Sequence, residues 1–274
     1  MFDIKELREI QMYILDEVVK VCEKYNVDYW LDSGSLLGAI RHKGFIPWDD
    51  DIDIAMKQED LEFIVPKLKD KLPSNIEIHD GRTSNYEMWG IPIKVMYKPS
   101  KIIPSKYIET SNFDEKIFID IFSYIPVLKE KYTHMNKYLI SFLTRCHTHD
   151  ISSNYYKRKH KIRFYIFKFM KIFITKKVSK KIIDKYIIKN KNGESWTFNP
   201  YFWPMHVSQL FTNECYNNFK EVEFENRVYK IPVDYHQVLC KKYGENYMIP
   251  PSKREQDELK HIEGIEIYEY PWKK

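Results

Sequence analysis

One acidic segment constrains the fold of this chain more than any other feature: residues 48–54, which read WDDDIDI. It places charged side chains among strand-forming residues, where a buried strand tolerates few charges. If residues 51–54 form a β-strand, its period of two puts the Asp51 and Asp53 carboxylates on one face. Two carboxylates so close repel each other unless a cation neutralises them, and hard divalent cations prefer oxygen ligands. The segment therefore predicts a Mg²⁺ or Mn²⁺ site.

A small-residue turn, Gly34-Ser35, precedes this segment and is expected to open a short helix. The unpaired amides and the dipole at a helix N-terminus favour a phosphate group. With the acidic strand alongside, the phosphates of a nucleotide would bridge the amides and the metal. Arg41 and His42 follow the same helix and are candidates for holding a donor phosphate, with a surface salt bridge as the alternative.

Two residues further along the chain complete the predicted site. Asp120 stands alone in the apolar run 117–122, where an unpaired charge is costly to bury. We expect it to serve as the third metal carboxylate or as the acceptor of a hydroxyl proton, the alternative being a strand-end cap. Lys94 is a charge in an otherwise apolar strand, and contact with a phosphate is favoured over a snorkelling side chain.

Aromatic residues and the remaining acids allow weaker predictions. Trp48 and Trp89 are candidates for boxing a quaternary ammonium group, although both being core rings is the simpler interpretation. Strand alternation aligns Asp49 with the metal face, while Asp50 is expected to serve the turn.

Length and patterning indicate an ordinary globular protein. The 274 residues are 43% hydrophobic and 30% charged, enough for one large or two small domains. Alternating helices and strands predict an α+β or α/β layer architecture. The expected helices are 3–26, 58–72 (kinked or broken at Pro66), much of 130–188, and 232–247. The expected strands are 27–32, 51–56, 76–79, 89–97 and 116–122.

The net charge of +5 is unevenly distributed, because basic residues crowd between Lys157 and Lys191 among Ile and Phe. The apolar runs are too short and too often broken to span a bilayer, which takes about 20 apolar residues. A basic amphipathic helix on an anionic membrane surface and a solvated basic face over a core helix are equally compatible with this pattern.

The four cysteines lack the spacing of a disulfide framework or a zinc knuckle, which favours a reducing compartment. The cluster Cys146-His147-Thr148-His149 fits a polar helix end better than a metal site. No signal peptide or N-terminal anchor is indicated, so we expect a cytoplasmic protein, peripheral at the inner face of the membrane.

The run from Leu31 to Ile54 closely resembles the LicD family of phosphotransferases, which includes bacterial phosphocholine transferases and is related to the fukutin-related proteins. The segments FIDIF (118–122) and YGENY (243–247), with Pro250-Pro251 and Arg254, resemble later motifs of that family. Two departures are Glu245, where the family more often has Asp, and Glu255-Gln256-Asp257, where a His pair is missing. Both lie outside the predicted metal ligands.

The resemblance implies an α+β nucleotidyltransferase-like mixed sheet with flanking helices, plus a largely helical basic subdomain. It divides the chain into a catalytic core (1–128), a basic helical region (129–192) and a C-terminal segment that completes the core (193–274). It implies Gly34-Ser35 as the glycine-serine turn and Asp51, Asp53 and Asp120 as metal carboxylates.

The implied activity is metal-dependent transfer of a phospho-alcohol, with phosphocholine from CDP-choline favoured, to a hydroxyl of a cell-surface glycan or its lipid-linked precursor. CDP-glycerol, CDP-ribitol or CDP-ethanolamine are alternative donors. From other classes, a nucleic-acid-directed nucleotidyltransferase and an inactive membrane-associated protein remain alternatives, although we expect no nucleic-acid partner.

Overall fold

The computed structural model of the chain describes residues 3–80, 92–104, 116–128, 134–147, 161–201, 209–260 and 262–272. In these ranges the helices are α1 (Ile4–Lys24), α2 (Ser33–His42), α3 (Gln58–Lys71), α4 (His134–Arg145), α5 (Lys161–Phe173), α6 (Lys176–Lys189), α7 (Glu214–Asn217), α8 (Tyr235–Tyr243) and α9 (Lys253–Glu258). The strands are β1 (Trp30–Leu31), β2 (Asp53–Lys57), β3 (Ile76–His79), β4 (Ile93–Tyr97), β5 (Ser100–Pro104), β6 (Phe118–Val127), β7 (Ser195–Phe198), β8 (Phe211–Thr212), β9 (Phe219–Phe224), β10 (Arg227–Pro232) and β11 (Ile262–Ile267).

The chain divides into two compact units. Unit 1 comprises Met1–His79, Lys94–Ile121 and Asn217–Lys274, and unit 2 comprises Asp80–Ile93 and Phe122–Tyr216. Strands pair in the order β1-β2-β6-β4-β3, while β7 pairs with β6 and β8 with β7. This mixed sheet with its helices confirms the predicted α+β class. The division into segments 1–128, 129–192 and 193–274 stays a prediction.

Helix α1 forms because its apolar residues recur at steps of three and four and all face the core of unit 1. Leu7, Ile10 and Ile14 are completely buried, as this periodicity requires. At its start, the Asp3 side chain accepts a hydrogen bond from the Lys5 amide at 2.8 Å and caps the helix.

Strand β2 lies between β1 and β6, and its residues 53–56 are all buried. It begins at Asp53, so Asp51 precedes the strand instead of opening it as predicted. Ile52 still reaches the sheet, because its carbonyl accepts a hydrogen bond from the Asp120 amide at 2.8 Å. The acidic segment therefore enters the sheet beside β6.

Helices α3 and α8 differ from their predictions. Helix α3 runs through Pro66 without a break, because its buried side chains Leu61, Ile64 and Leu68 anchor the helix on both sides of the proline. Helix α8 is shorter than the predicted 232–247, since it ends at Gly244, whose φ of 87° favours glycine.

The C-terminal part of unit 1 packs against its N-terminal part. Strand β11 pairs antiparallel with β5, and β9 and β10 form a hairpin. Glu225 and Asn226 at the hairpin tip have φ values of 52° and 59°, as a type I′ turn requires. The Glu225 carboxylate accepts a hydrogen bond from the Phe45 amide at 3.0 Å, which fixes the loop after α2.

Unit 2 has its own hydrophobic core. The second half of β6 pairs with β7 in the register Tyr124↔Phe198, and side chains from β6, α4 and α6 pack together. Its buried members are Ile125, Val127, Ile140, Leu143, Ile183, Tyr186 and Tyr201. Helix α5 packs on this unit through Ile174, just beyond its end, and through Met170, which contacts Cys146. In the described ranges, no helix combines the length and the hydropathy that a bilayer crossing requires.

Candidate active site

Three neighbouring strands bring acidic residues together in unit 1. The Asp32 amide donates a hydrogen bond to the Asp53 carbonyl at 3.0 Å, which extends the antiparallel register in which Leu31 faces Ile54. Asp32 and Asp53 are thus cross-strand neighbours with side chains on the same face. On the other side of β2, the hydrogen bond from Asp120 to Ile52 places the third acid next to them.

The charges of this cluster act most strongly on Asp53, which is only 8% exposed. Burial, followed by the negative charges of Asp51, Asp120 and Asp49, raises the pKa of the Asp53 carboxyl well above its usual value. The charge of Asp120 contributes to this rise, and the Asp120 amide bonds to the carbonyl of Ile52, the residue before Asp53. The cluster therefore carries more negative charge than its protein surroundings neutralise.

The first turn of α2 lies directly against the acids. The Ser35 hydroxyl accepts a hydrogen bond from the Asp53 amide at 2.9 Å and so ties the helix to the start of β2. A Cβ atom added to Gly34 would lie 2.6 Å from Asp49 Oδ2 and 3.9 Å from Asp53 Oδ2. A side chain at this position would therefore displace the Asp49 carboxylate, whereas the contact with Asp53 would be an ordinary van der Waals one.

A lysine that the sequence analysis missed neutralises one end of the cluster. Lys242, from α8, donates to Asp32 Oδ1 at 2.5 Å and to the Ser33 hydroxyl at 3.0 Å. The side chain of Asp32 is completely buried and that of Lys242 is 6% exposed. Burial lowers the pKa of the Lys242 ammonium, while the charge of Asp32 opposes this effect. Ser33 itself has a left-handed φ of 44°, a strained conformation of the kind found at functional sites.

Tyr243 follows Lys242 and also faces the acids. Burial and then the charges of Asp53 and Asp32 raise the pKa of its hydroxyl well above the usual value. Because 44% of the residue is exposed, the negative charges are the firmer of these two causes. The hydroxyl therefore stays protonated and is available as a hydrogen-bond donor at the site.

Lys94 neutralises the other end of the cluster. Its ammonium donates to Asp120 Oδ1 at 2.9 Å and lies 3.2 Å from the centroid of the Phe118 ring. The Lys94 side chain is 27% exposed and that of Asp120 is 12% exposed, so the pair is largely shielded from water. The predicted contact of Lys94 with a phosphate would take place beside this ion pair.

Arg41, His42 and Trp48 form a second group at the C-terminal end of α2. The Arg41 guanidinium donates to the Tyr247 carbonyl at 2.9 Å, and its Nε lies 2.9 Å from His42 Nε2. It also lies 5.4 Å from the centroid of the Trp48 ring. Trp48 is half-buried instead of being a core ring. Arg41 already contacts its ring, which is where a quaternary ammonium was predicted to bind.

The loop that carries Asp49 is held from α1. Arg8 donates to the carbonyls of Ile46 at 2.8 Å, Pro47 at 3.2 Å and Asp49 at 2.9 Å. Asp50 is buried and does more than serve the turn, because its Oδ2 accepts from the Ile262 amide at 2.8 Å. These contacts fix the backbone on which the acidic segment is mounted.

The donor set of Asp51, Asp53 and Asp120 fits a hard divalent cation chemically, since all the available ligand atoms are carboxylate oxygens with excess negative charge. The raised pKa of Asp53 is the physical sign of this excess. Among the described residues, however, no three His, Cys, Asp or Glu side chains are gathered closely enough to hold a metal ion. Lys94 pairs with one of the three predicted ligands, Asp120.

The structure thus brings most of the predicted site residues together. Gly34 and Ser35 adjoin Asp53, Asp120 lies on the neighbouring strand and pairs with Lys94, and the charge of Asp51 acts on Asp53. Arg41, His42 and Trp48 lie at the other end of α2. Trp89, Thr148 and His149 lie outside the described residues. Sequence reasoning missed Asp32, Lys242 and Tyr243. The sequence offered one indication for Asp32. Alternation along the predicted strand 27–32 places the Asp32 side chain on the same face of the strand as that of Trp30.

Comparison with known proteins identifies the class. Residues 26–170, just over half of the chain, match the family described as LicD/FKTN/FKRP, nucleotidyltransferase domain. The chain belongs to this family, which confirms the resemblance predicted from the run 31–54. It is accordingly an enzyme of the LicD phosphotransferase type.

Particular relatives differ in how much of the chain they match. The lipopolysaccharide cholinephosphotransferase LicD of Haemophilus influenzae is 27% identical over 267 residues, which cover 94% of this chain and 95% of that protein. The ribitol 5-phosphate transferase FKRP of Homo sapiens is 48% identical over 58 residues, covering 21% of this chain and 11% of that protein. FKRP of Mus musculus has the same identity over the same length.

Proposed function

We propose that this enzyme transfers a phospho-alcohol, most favourably phosphocholine from CDP-choline, to a hydroxyl group of a cell-surface glycan or its lipid-linked precursor. The observation that carries the proposal is the meeting of Asp53 and Asp120 beside Gly34 at the N-terminus of α2. A helix N-terminus favours phosphate, and adjacent carboxylates favour a divalent cation, so both parts of a nucleotide–metal site lie in one place.

We propose that Asp51 and Asp53 hold Mg²⁺ or Mn²⁺ and that Asp120 is either the third ligand or the acceptor of the attacking hydroxyl proton. A bound divalent cation shields charge on the phosphate oxygens during phosphoryl transfer. In the reaction, the acceptor oxygen forms a bond to the distal phosphorus of the donor. The bond from that phosphorus to the bridging oxygen breaks, and CMP leaves.

Other residues have roles that follow from their positions. Amides in the first turn of α2 orient the diphosphate, and Gly34 leaves space for the Asp49 carboxylate beside that turn. Lys94, beside Asp120, is placed to contact a donor phosphate. Arg41, His42 and Trp48 are proposed to hold the donor from the other end of α2, where Arg41 is fixed by the Tyr247 carbonyl.

We favour choline as the transferred alcohol because of how much of the chain each relative matches. The cholinephosphotransferase relative aligns with nearly the whole chain, whereas the ribitol 5-phosphate transferase aligns with 58 residues only. Those 58 residues are 21% of the chain, so they carry less information about the transferred alcohol than a match along nearly the whole chain. CDP-ribitol, CDP-glycerol and CDP-ethanolamine are therefore the alternative donors.

A donor screen tests the proposal. The protein is incubated with Mg²⁺ and each CDP-alcohol, and release of CMP is measured with and without a glycan acceptor. We expect CDP-choline to give the fastest release, and Asp53→Asn to abolish release with every donor. Faster release of CMP from another CDP-alcohol would identify that alcohol, and not choline, as the one whose phosphate the enzyme transfers. Equal release by Asp53→Asn and by the unaltered protein would refute the proposed site.

A further inference from the structure

Helix α5 exposes an unusual number of large apolar side chains. The exposed fractions are 78% for Ile162, 49% for Tyr165, 50% for Ile166, 60% for Phe169, 71% for Ile172 and 66% for Phe173. Single exposed apolar residues are common on soluble proteins, but a contiguous group of this kind marks an interaction surface. We call these six residues the α5 apolar face.

The α5 apolar face is one continuous stripe. With 3.6 residues per turn, the six side chains fall within an arc of about 120° around the helix axis. Met170 lies just beyond one edge of this arc and contacts the buried Cys146 of the same unit. Unit 2 holds this segment through Met170 and Ile174 while the stripe itself stays exposed, in contrast to an ordinary amphipathic surface helix, whose apolar stripe faces the core.

The segment that carries this face is strongly basic. Residues 161–189 contain ten Lys or Arg and one acid, Asp184, a net charge of +9. Since the whole chain carries +5, the remaining residues together carry −4. Several of these lysines are exposed in the structure. They are Lys168, Lys177, Lys180, Lys181, Lys185 and Lys189.

We propose that the α5 apolar face and the exposed lysines of α5 and α6 bind the surface of an anionic phospholipid bilayer. In this arrangement the helix lies in the plane of the interface, with Ile and Phe side chains among the acyl chains and lysines at the headgroups. The charge complements an anionic surface. It would repel a second copy of the same face, and a nucleic acid would pair with the lysines while leaving the aliphatic stripe in water.

Flotation with vesicles tests this inference on the full-length chain. The unaltered protein is expected to float with vesicles rich in phosphatidylglycerol and to remain unbound with vesicles of phosphatidylcholine alone. Phe169→Gln with Ile172→Gln should lower the affinity for the anionic vesicles at least about tenfold. The two apolar side chains that would enter the acyl region of the membrane are replaced by polar ones. Both residues are exposed in the structure, so the double variant is expected to fold normally.

The matched control places the same substitutions elsewhere. Val228→Gln with Ile249→Gln changes two residues of unit 1 that are 60% and 68% exposed, and it should float like the unaltered protein. Lys177→Glu with Lys181→Glu should also release the protein. Equal flotation of the α5 variant, or absence of flotation at low salt, overturns the proposal. A dimer that only the α5 variant disrupts would also overturn it, by assigning the face to a second copy.

An assay with a soluble CDP-alcohol distinguishes a loss of membrane binding from a loss of the proposed activity. The α5 variant should release CMP from that donor at the unaltered rate, because the apolar face belongs to unit 2 and the acidic cluster to unit 1.

Discussion

The Lys242 ammonium and the Asp32 carboxylate form a buried ion pair at 2.5 Å, which joins the C-terminal helix α8 to the strand that begins the acidic cluster. The two residues are 210 positions apart in the sequence. It places one positive charge beside the acids and supports Ser33, the first residue of α2. The C-terminal segment is therefore part of the candidate site.

Replacing Lys242 by Met should destabilise the fold by about 3–5 kcal/mol, because it leaves Asp32 buried without its cation. Denaturant unfolding measures this loss. Lys253→Met, at a residue with a 75% exposed side chain, should change stability by less than about 0.5 kcal/mol. Adding Asp32→Asn to Lys242→Met should recover part of the stability, and failure of the second change to help would mean that Lys242 acts by packing alone.

Asp53→Asn should abolish turnover and raise the melting temperature of the protein in the presence of a chelator. The charge of Asp53 is repelled by Asp51, Asp120 and Asp49, and the substitution relieves this repulsion. Differential scanning calorimetry and CMP release measure the two effects. Asp70→Asn, at an exposed carboxylate, is the control and should change neither. A lower melting temperature for Asp53→Asn would show that Asp53 stabilises the fold.

Gly34→Ala should lower turnover at least about tenfold while leaving the stability of the fold nearly unchanged. The added methyl displaces the Asp49 carboxylate, 2.6 Å from the Cβ position, whereas alanine favours the helix by about 1 kcal/mol. Gly38→Ala provides the contrast, because its Cβ would lie 2.4 Å from the Gly44 carbonyl oxygen. That backbone atom cannot move aside, so Gly38→Ala should reduce both stability and turnover. Normal turnover of Gly34→Ala would argue against a cradle at this turn.

Lys94→Met should strengthen the binding of Mg²⁺ or Mn²⁺ and raise the KM for the CDP-alcohol. Removing the ammonium frees Asp120 from its ion pair, and it also removes a cation that is placed to contact a phosphate. Isothermal titration calorimetry measures the first effect without any turnover. Lys98→Met, an exposed neighbour on the same segment, is the matched control. Unchanged cation binding in Lys94→Met would mean that the ion pair does not compete with the metal.

The native protein should present one reactive thiol, and the unfolded protein four. Cys22, Cys146 and Cys215 are buried, whereas Cys240 is half-exposed. Burial raises the pKa of the Cys22 thiol to about 12, so almost no thiolate exists at that position near neutral pH. Titration with a chromogenic disulfide, before and after denaturation, counts the thiols. Cys240→Ser should remove the native reaction, and rapid reaction of Cys22 would contradict its burial.

Local patterns were sufficient for many elements. The apolar stripe predicted α1 within two residues at each end, and the strand 76–79 was predicted with its exact bounds. Helix α3 shows where such reasoning fails, because Pro66 predicted a break that tertiary packing of Leu61 and Leu68 overrides. The start of β2 shows the same limit at the site, since strand pairing begins at Asp53 and not at Asp51.

By itself, the sequence determined the family, the acidic segment and the turn before it, because these lie within about twenty consecutive residues and their spacing is read directly. Only the tertiary structure decided which charges meet that segment. Asp32 comes opposite Asp53 through strand pairing, and Lys242 arrives from the far end of the chain. Such contacts depend on how strands and helices pack in space, and no local period encodes them. The same reason explains why the pattern of α5 left open which of its apolar side chains are exposed.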